Sequence, residues 1–385
     1  MHKTFLETLD SYSNNLRNNR IHKTIQIQYD TQFSTYRNNH KQKDYTDTYQ
    51  LWQSIHEASI IHPETALTSP MEKKEKKDIQ VNVQSIDDLL SIIENNIYDS
   101  TQEYNIDLKV LHHIKPELKQ LNSMIGLVSV KSSILRQLMY FLQGFAEDGD
   151  YKHTVLTGPP GTGKTEIAKI LGNMYSKIGV LKNNVFKKVT RTDLVAGYLG
   201  QTAIKTRKVL DECMGGVLFI DEAYSLQYDD TYAKECVDTL CEGLSDNKND
   251  LMVIIAGYQN ELDNTFFRIN SGIRSRFIWR FDIEPYGTKE LFQIFLHLAA
   301  NRKWAVDEKI KQKWFDTNKL YFKDNGRSME QLFSYSKISH AQRIFGKDIS
   351  LRKTLTCEDL HDGLSLYKEY GNTVKSDNIS MSLYS

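Results

Sequence analysis

The segment GPPGTGKT, residues 158–165, constrains the possible folds of this chain more than any other. It follows an apolar, β-branched stretch and precedes a helix-forming stretch, which is the context that the phosphate-binding pattern GxxxxGK(S/T) requires. Proline has no amide hydrogen, so the amides that surround a phosphate must come from Gly161 onward, where the helix adds its positive end. The alternative is a glycine turn with a surface lysine. The residues predicted to bind a nucleotide are Gly158, Pro159, Pro160, Gly161, Thr162, Gly163, Lys164 and Thr165.

Two carboxylates end the apolar segment VLFIDEA, residues 217–223. Carboxylates at the end of a buried strand are costly without a partner, and a divalent cation supplies one. We predict Asp221 and Thr165 as ligands of Mg²⁺. Lys164 is predicted to contact the β- and γ-phosphates of ATP, and Glu222 to polarise the attacking water. Binding alone does not need such a glutamate, so the pair predicts hydrolysis. The alternative is two ordinary acidic residues at a helix N-terminus.

Short apolar segments alternate with helix-forming segments in the middle of the chain, which is typical of a parallel sheet covered on both faces. These segments are residues 155–157, 185–190, 217–223, 251–257 and 279–284. After Pro285 the sequence predicts only helices, at residues 288–302, 307–317, 327–345 and 357–370. The predicted fold class is therefore α/β, a doubly wound parallel sheet of the P-loop NTPase type followed by a small all-α lid domain.

Composition, charge and the pattern of apolar residues divide the chain into six parts. An N-terminal extension (1–67) of unknown role is expected to be mainly helical or partly disordered. The parts that follow are a charged linker (68–83), a helical connector (84–121) broken near Pro116, the nucleotide-binding core (122–284), the lid (285–371) and a C-terminal tail (372–385).

Charge and cysteine content limit the expected partners. The chain has 49 Lys and Arg residues against 49 Asp and Glu residues and no basic region, so nucleic acid is not the expected partner. No apolar run approaches the roughly 20 residues of a membrane helix, so no membrane partner is expected. The four cysteines lack CxxC spacing and no signal-like segment follows Met1, which predicts a reducing intracellular compartment, the cytoplasm or the nucleus.

Six further segments, taken with GPPGTGKT, resemble the AAA+ ATPases of the CbbX-like group, also called CfxQ. This group includes red-type Rubisco activases and stage V sporulation protein K. The resemblance covers about residues 120–370 and leaves the N-terminal part of the chain outside it. Its segments are LNSMIGLVSVKSSI (121–134), DLVAGYLGQTAIKT (193–206), MGGVLFIDEAYSL (214–226), VIIAGY (253–258), NSGIRSRF (270–277) and NGRSMEQLF (325–333).

The resemblance implies a ring, usually a hexamer, with ATP at each subunit boundary. It implies that Ile125 and Gly126 pack around adenine, and that Arg327 is the sensor-2 arginine that reaches from the lid to the nucleotide. Arg274 and Arg276 match the region that supplies an arginine finger to the γ-phosphate of the neighbouring subunit, and of the two we favour Arg276.

At the sensor-1 position many relatives in the wider superfamily carry Asn. This chain has Tyr258 and Gln259 there instead, and the resemblance leaves open which of them substitutes for the Asn.

Tyr198 and Leu199 lie between Gly197 and Gly200, at a place that resembles the pore loop of AAA+ rings. An exposed aromatic there grips an extended polypeptide, and glycines let the loop move. The predicted function is ATP-driven remodelling of, or pulling on, an unidentified protein substrate; Rubisco itself is not carried over. The alternatives are that Tyr198 packs in a core turn, that the ATPase acts on nucleic acid, or that the chain is an ATP-gated scaffold with little turnover.

Overall fold

The computed structural model describes residues 75–147, 150–198, 200–348 and 351–370. The predicted N-terminal extension, residues 68–74 of the charged linker, the C-terminal tail and Leu199 lie outside the described residues. Within the described ranges, no helix combines the length and the apolar character that a membrane span requires.

A short strand pair and three helices precede the first core strand. Strand β1 (Glu75–Lys77) pairs in parallel with β2 (Gln102–Tyr104), and the helices are α1 (Ile86–Asn95), α2 (Leu108–Ser123) and α3 (Val128–Leu142). The expected break near Pro116 is wrong, because α2 runs through this residue. Proline removes one backbone hydrogen bond, but Ile114, Leu118 and Leu121 of the same helix are fully buried, and their packing outweighs that loss.

A five-stranded parallel sheet forms the core. Its strands are β3 (Thr154–Thr157), β4 (Phe186–Val189), β5 (Val217–Ile220), β6 (Met252–Gly257) and β7 (Trp279–Asp282). Four of them lie within the predicted segments, and β3 begins one residue before its segment. The strand order is β4-β5-β6-β3-β7, with Leu156 of β3 opposite Ala256 of β6 and Phe281 of β7. The order therefore reverses beside β3, and the loop after β3 lies at this switch point, where open α/β sheets bind ligands.

Helices cover both faces of the sheet, as predicted from the alternation of apolar and helix-forming segments. They are α4 (Lys164–Lys177), α5 (Arg191–Leu194), α6 (Thr202–Glu212), α7 (Thr231–Asp246), α8 (Gln259–Asn264), α9 (Phe266–Ile269) and α10 (Ser271–Arg276). Successive strand residues face opposite sides, so Leu156 and Phe219 pack with α1 to α4, whereas Val155 and Leu218 pack with α5 to α10. The doubly wound α/β core is thereby confirmed.

The lid follows the sheet and has its own apolar core, which includes Phe295, Phe315 and Phe333. Its helices are α11 (Thr288–Asn301), α12 (Gln312–Asn318), α13 (Gly326–Ile344) and α14 (Cys357–Tyr370), and a two-residue strand pair, β8 (Ala305–Val306) with β9 (Thr354–Leu355), accompanies them. The helix predicted from residue 307 begins at Gln312 instead. The Asp307 side chain accepts the amide of Lys309, which favours a turn there.

A buried carboxylate joins the last two long helices of the lid. Asp359 of α14 accepts hydrogen bonds from Nε (2.6 Å) and Nη2 (2.9 Å) of Arg343 and from the amide of Thr356 (2.8 Å). Nδ1 of His340 lies 3.0 Å from the same carboxylate. Burial would raise the pKa of Asp359, but the hydrogen bonds from Arg343, Thr356 and His340 outweigh it and lower this pKa to about 2.

Asp359→Asn is expected to destabilise the protein by about 2–4 kcal/mol at pH 7, because the buried network loses its negative charge. A carboxyl whose pKa is lowered by folding contributes fully above its unfolded value of 3.8 and loses this contribution as pH falls toward about 2. The difference between wild type and variant in urea unfolding should therefore shrink over that window. Asp362→Asn, on the exposed face of the same helix, should change stability by less than about 0.5 kcal/mol; equal effects would contradict this role of Asp359.

Candidate nucleotide site

Glycines give the loop between β3 and α4 its shape. Gly158, Gly161 and Gly163 have φ values of 145°, 69° and 91°, which residues with a side chain rarely adopt. A side-chain carbon at Gly161 would collide with the carbonyl oxygen of Asp324, so only glycine lets the loop lie this close to the lid. The loop is therefore shaped both by its own backbone and by its contact with the lid.

The ammonium of Lys164 lies against this loop. Its Nζ donates to the carbonyl oxygens of Gly158 (2.8 Å) and Pro159 (2.7 Å). Burial lowers the pKa of Lys164; Asp221 opposes this shift and Arg327 adds to it. The lysine is thus within electrostatic reach of the other charged residues that were predicted around the phosphates.

The lid binds the next carbonyl groups of the loop. Three successive carbonyl oxygens each accept one hydrogen bond from a lid residue. The bonds are Asn325 Nδ2 to Pro160 O (3.1 Å), Gly326 N to Gly161 O (2.9 Å) and Tyr286 Oη to Thr162 O (3.1 Å). A fourth bond, from the Tyr286 amide to Asn325 Oδ1 (2.8 Å), ties two of these residues together. We call Tyr286, Asn325 and Gly326 the lid clasp.

The amides of the loop are left free for a ligand. Helix α4 begins at Lys164 with Gly163 as its N-cap and has no side-chain cap. The backbone N–H groups of residues 161–165 have no acceptor within the part of the chain that the structure describes. Unpaired amides at the start of a helix form an anion-binding site, because the N–H groups and the helix dipole both favour negative charge.

The segment predicted to contact adenine lies between the loop and the first lid helix. Gly126 has φ of 66°, and a side-chain carbon there would lie 3.2 Å from Cγ of Glu290 and 3.4 Å from Cε1 of Tyr286. Ile125 precedes it and is half-buried. Burial raises the pKa of Tyr286 to about 12, so its hydroxyl remains a hydrogen-bond donor at neutral pH. Residues 125–126 thus adjoin the clasp.

The predicted catalytic carboxylates end β5 with different surroundings. Asp221 lies 2.6 Å, through Oδ2, from Nζ of Lys188, and its Oδ1 accepts the Glu222 amide (3.1 Å). Glu222 is exposed, has φ of 53° and ψ of 43°, and its carboxylate contacts no partner among the described residues. A left-handed backbone in a residue with a side chain costs about 1–3 kcal/mol, and such strain concentrates at functional sites.

Tyr258 lies beside Lys164 at the end of β6. The Lys164 Nζ is 5.8 Å from the centre of the Tyr258 ring. The centres of the Tyr258 and Tyr224 rings are 5.5 Å apart. Gln259 is the exposed first residue of α8. Of the two sensor-1 candidates, Tyr258 is the one that the structure brings to the lysine.

Arg327 lies in the first turn of α13, next to the clasp residue Gly326. It is exposed, and its guanidinium has no acceptor among the residues that the structure describes. A cation at a helix N-terminus opposes the helix dipole, so the position favours an anionic ligand in contact with it.

The two arginines of α10 are held by different partners. Arg274 donates to Asp263 Oδ1 (2.6 Å) and lies over the Phe267 ring. Arg276 donates to Ser245 Oγ (2.8 Å) and to a carbonyl of its own helix. In the described structure neither guanidinium contacts the phosphate-binding loop of its own chain.

Tyr198 lies on a loop with a braced base and an open tip. The Lys205 Nζ donates to the carbonyl oxygens of Thr192 (2.7 Å) and Val195 (2.9 Å), which fixes the base. A Cβ atom added to Gly197 would have no neighbouring atom within 4 Å, so the space around the tip is open. Tyr198 is 74% exposed. The alternative that Tyr198 packs in a core turn is therefore wrong.

Sequence reasoning missed Lys188 and the lid clasp. Lys188 is one of two adjacent lysines in β4, and its partner depends on the pairing of β4 with β5. Asn325 has φ of 50° and ψ of −119°, and an Asn-Gly pair before an arginine is the only local signal for such a turn.

Asn325→Gly tests the clasp, because glycine removes the side-chain hydrogen bonds and also relieves the strained backbone. We expect amide hydrogen exchange within residues 158–165 of the nucleotide-free protein to accelerate about tenfold, measured by mass spectrometry. Asn318→Ala is the control, since this amide bonds only Trp314 O in its own helix. Unchanged exchange in Asn325→Gly would contradict a clasp that holds the loop.

Comparison with known proteins agrees with this geometry. The family model for the ATPase family associated with various cellular activities (AAA) matches residues 154–284. A cfxQ-like protein of Acanthamoeba polyphaga mimivirus is 37% identical over 271 residues, which cover 68% of this chain and 67% of that protein. Protein CbbX of Cereibacter sphaeroides is 33% identical, over 64% of this chain and 85% of that protein. Stage V sporulation protein K of Bacillus subtilis is 31% identical, over 63% of this chain and 81% of that protein. This chain therefore belongs to the CbbX-like (CfxQ) group of the AAA+ family and is an ATP-hydrolysing enzyme.

Proposed function

We propose that this AAA+ ATPase assembles into a ring and uses ATP hydrolysis to remodel or pull on a protein substrate through a central pore. The observation that carries the proposal is the position of Tyr198. It is an exposed aromatic on a loop with a fixed base. This loop follows α5, the short helix after β4, and β4 pairs with β5, the strand that ends in the proposed catalytic carboxylates. Movement at the nucleotide site can therefore reach the tyrosine through one strand contact.

We assign ATP to the free amides of the loop. The amides of residues 161–165 and Lys164 would bind the phosphates, and Ile125 and Gly126 would contact adenine beside Tyr286. The Lys164 ammonium would exchange its two carbonyl partners for phosphate oxygens, which carry more negative charge.

Magnesium fits the oxygen donors at this site. Asp221 supplies a carboxylate, and Thr165 supplies a hydroxyl in the first turn of α4; both are ligand types that Mg²⁺ accepts. Among the described residues no group of three or more His, Cys, Asp or Glu side chains could hold a metal, so phosphate oxygens and water would complete the coordination. Bound there, Mg²⁺ would neutralise charge on the phosphates.

Glu222 is the proposed general base that orients the attacking water. Its exposed carboxylate has no competing partner in the described structure and is therefore available to bind a water molecule. Arg327 would contact the γ-phosphate from the lid, and Tyr258 would take the sensor-1 role beside Lys164.

Arg276 remains our proposed arginine finger for the neighbouring subunit. Its hydrogen-bond partners are a hydroxyl and a carbonyl, both neutral, so its charge is available to a phosphate. Arg274 is already paired with the carboxylate of Asp263, which would have to be broken before it could act in trans.

The remaining assignments rest on the sequence and its resemblance to the CbbX-like group. We propose a hexameric ring, the domain boundaries given from the sequence, and selection of the protein substrate by the N-terminal part of the chain that lies outside the resemblance. A reducing compartment, the cytoplasm or the nucleus, agrees with the free thiols of Cys213, Cys236, Cys241 and Cys357.

The proposal is tested by trapping the substrate. Glu222→Gln should bind ATP without hydrolysing it, so rings that hold substrate accumulate. We expect mass spectrometry to find a polypeptide that co-purifies with Glu222→Gln and is reduced about tenfold or more in the Glu222→Gln/Tyr198→Ala double variant, because the pore loop loses its aromatic grip.

Glu222→Gln/Tyr321→Ala provides the matched control, since Tyr321 is an exposed tyrosine of the lid. Its capture should equal that of Glu222→Gln alone. Capture that does not depend on Tyr198 would contradict pore threading and favour a scaffold. Nucleic acid in place of protein would contradict the proposed substrate class.

A further inference from the structure

The metal-binding candidate Asp221 already has a cationic partner within its own chain. The Lys188 Nζ lies 2.6 Å from its Oδ2, and the two residues come from neighbouring strands. Lys188 is opposite Phe219 in the register of β4 and β5, and its ammonium is 6.0 Å from the Phe219 ring centre. Residues two apart in a strand share a face, so Phe219 and Asp221 lie on the side to which Lys188 reaches.

The adjacent lysine serves a different purpose. Lys187 is ion-paired with Glu212 of α6, which packs on the opposite face of the sheet. Because side chains alternate along β4, Lys187 lies on the face that α6 covers, and Lys188 lies on the other face and reaches Asp221. Lys187 is therefore a natural control for Lys188.

We propose that Lys188 is a built-in counter-ion that occupies Asp221 in the nucleotide-free enzyme and competes with Mg²⁺ for it. The proposal rests on the assignment of Asp221 as a Mg²⁺ ligand. Two cations on one carboxylate repel each other, so binding of the metal requires Lys188 to withdraw. The Lys188 side chain is 47% exposed and flexible, which lets the ammonium move into solvent.

The position of Lys188 gives this displacement a consequence for the pore loop. One residue after it, β4 ends at Val189, and Thr190 then caps α5 with Asp193. The loop that carries Tyr198 follows α5 directly. Binding of Mg²⁺ thus releases the Lys188 side chain near the start of the segment that leads to Tyr198. The strand that responds to Mg²⁺ is therefore the strand that precedes the proposed substrate-binding tyrosine.

The test measures how much Mg²⁺ the enzyme needs to bind nucleotide. The affinity of the full chain for a fluorescent, non-hydrolysable ATP analogue is measured in EDTA and over a series of free Mg²⁺ concentrations. Lys188→Met should reach half of its Mg²⁺-dependent gain in affinity at about threefold to tenfold lower free Mg²⁺ than wild type. Lys188→Gln serves as a second variant if the first fails to fold.

Two controls separate this inference from the assignment on which it rests. Lys187→Met should stay within about twofold of wild type, since it removes a positive charge from the other face. Asp221→Asn should abolish the Mg²⁺-dependent gain in both the wild-type and the Lys188→Met backgrounds. The metal site itself would be contradicted if the affinity of the wild type for the ATP analogue did not depend on Mg²⁺, or if the Mg²⁺-dependent gain in affinity persisted in Asp221→Asn. Competition by Lys188 would be overturned if the wild type and the Asp221→Asn variants behaved as expected while both Lys188 variants needed at least as much free Mg²⁺ as wild type to reach half of the gain in affinity.

Discussion

The hydrogen bonds from the lid to the phosphate-binding loop are the constraint on which the rest of the site depends. The lid clasp and Lys164 occupy the loop carbonyls, so the amides of residues 161–165 remain for phosphate oxygens. If the lid moved away, three loop carbonyls would lose their donors, so the lid contact helps to hold the shape of the loop. Because Arg327 follows the clasp directly, a movement of the lid would change the contacts of the loop and the position of Arg327 together.

The parallel sheet brings the other functional groups to the same edge. Asp221 and Glu222 follow β5, Tyr258 follows β6, and the loop of Tyr198 follows β4, all at the carboxyl ends of neighbouring strands. Residues that are distant in sequence thus become neighbours through strand order alone. The contact between Lys188 and Asp221 and the hydrogen bond from the Asp221 amide to Val189 O both join the end of β5 to the strand that precedes the Tyr198 loop.

Local patterns predicted much of this arrangement, and long-range contacts account for what they missed. The three central strands β3, β5 and β6 are short buried runs, and the phosphate-binding residues are contiguous, so both could be predicted from the sequence. The clasp could not be, because Asn325 and Pro160 are 165 positions apart and no pattern links them. The role of Lys188 depends on strand register, and the backbone strain of Glu222 depends on tertiary context. The expected break at Pro116 failed because burial outweighed local propensity.

Subunit mixing tests most directly that this is a ring ATPase whose sites are shared between neighbours. Arg276→Ala lacks the proposed finger but keeps its own catalytic glutamate, whereas Glu222→Gln lacks the glutamate but keeps its finger. Each variant alone should hydrolyse ATP about 10³-fold more slowly than wild type or worse, and a mixture should recover a measurable share of the wild-type rate. A mixture no more active than its separate components would contradict the shared site.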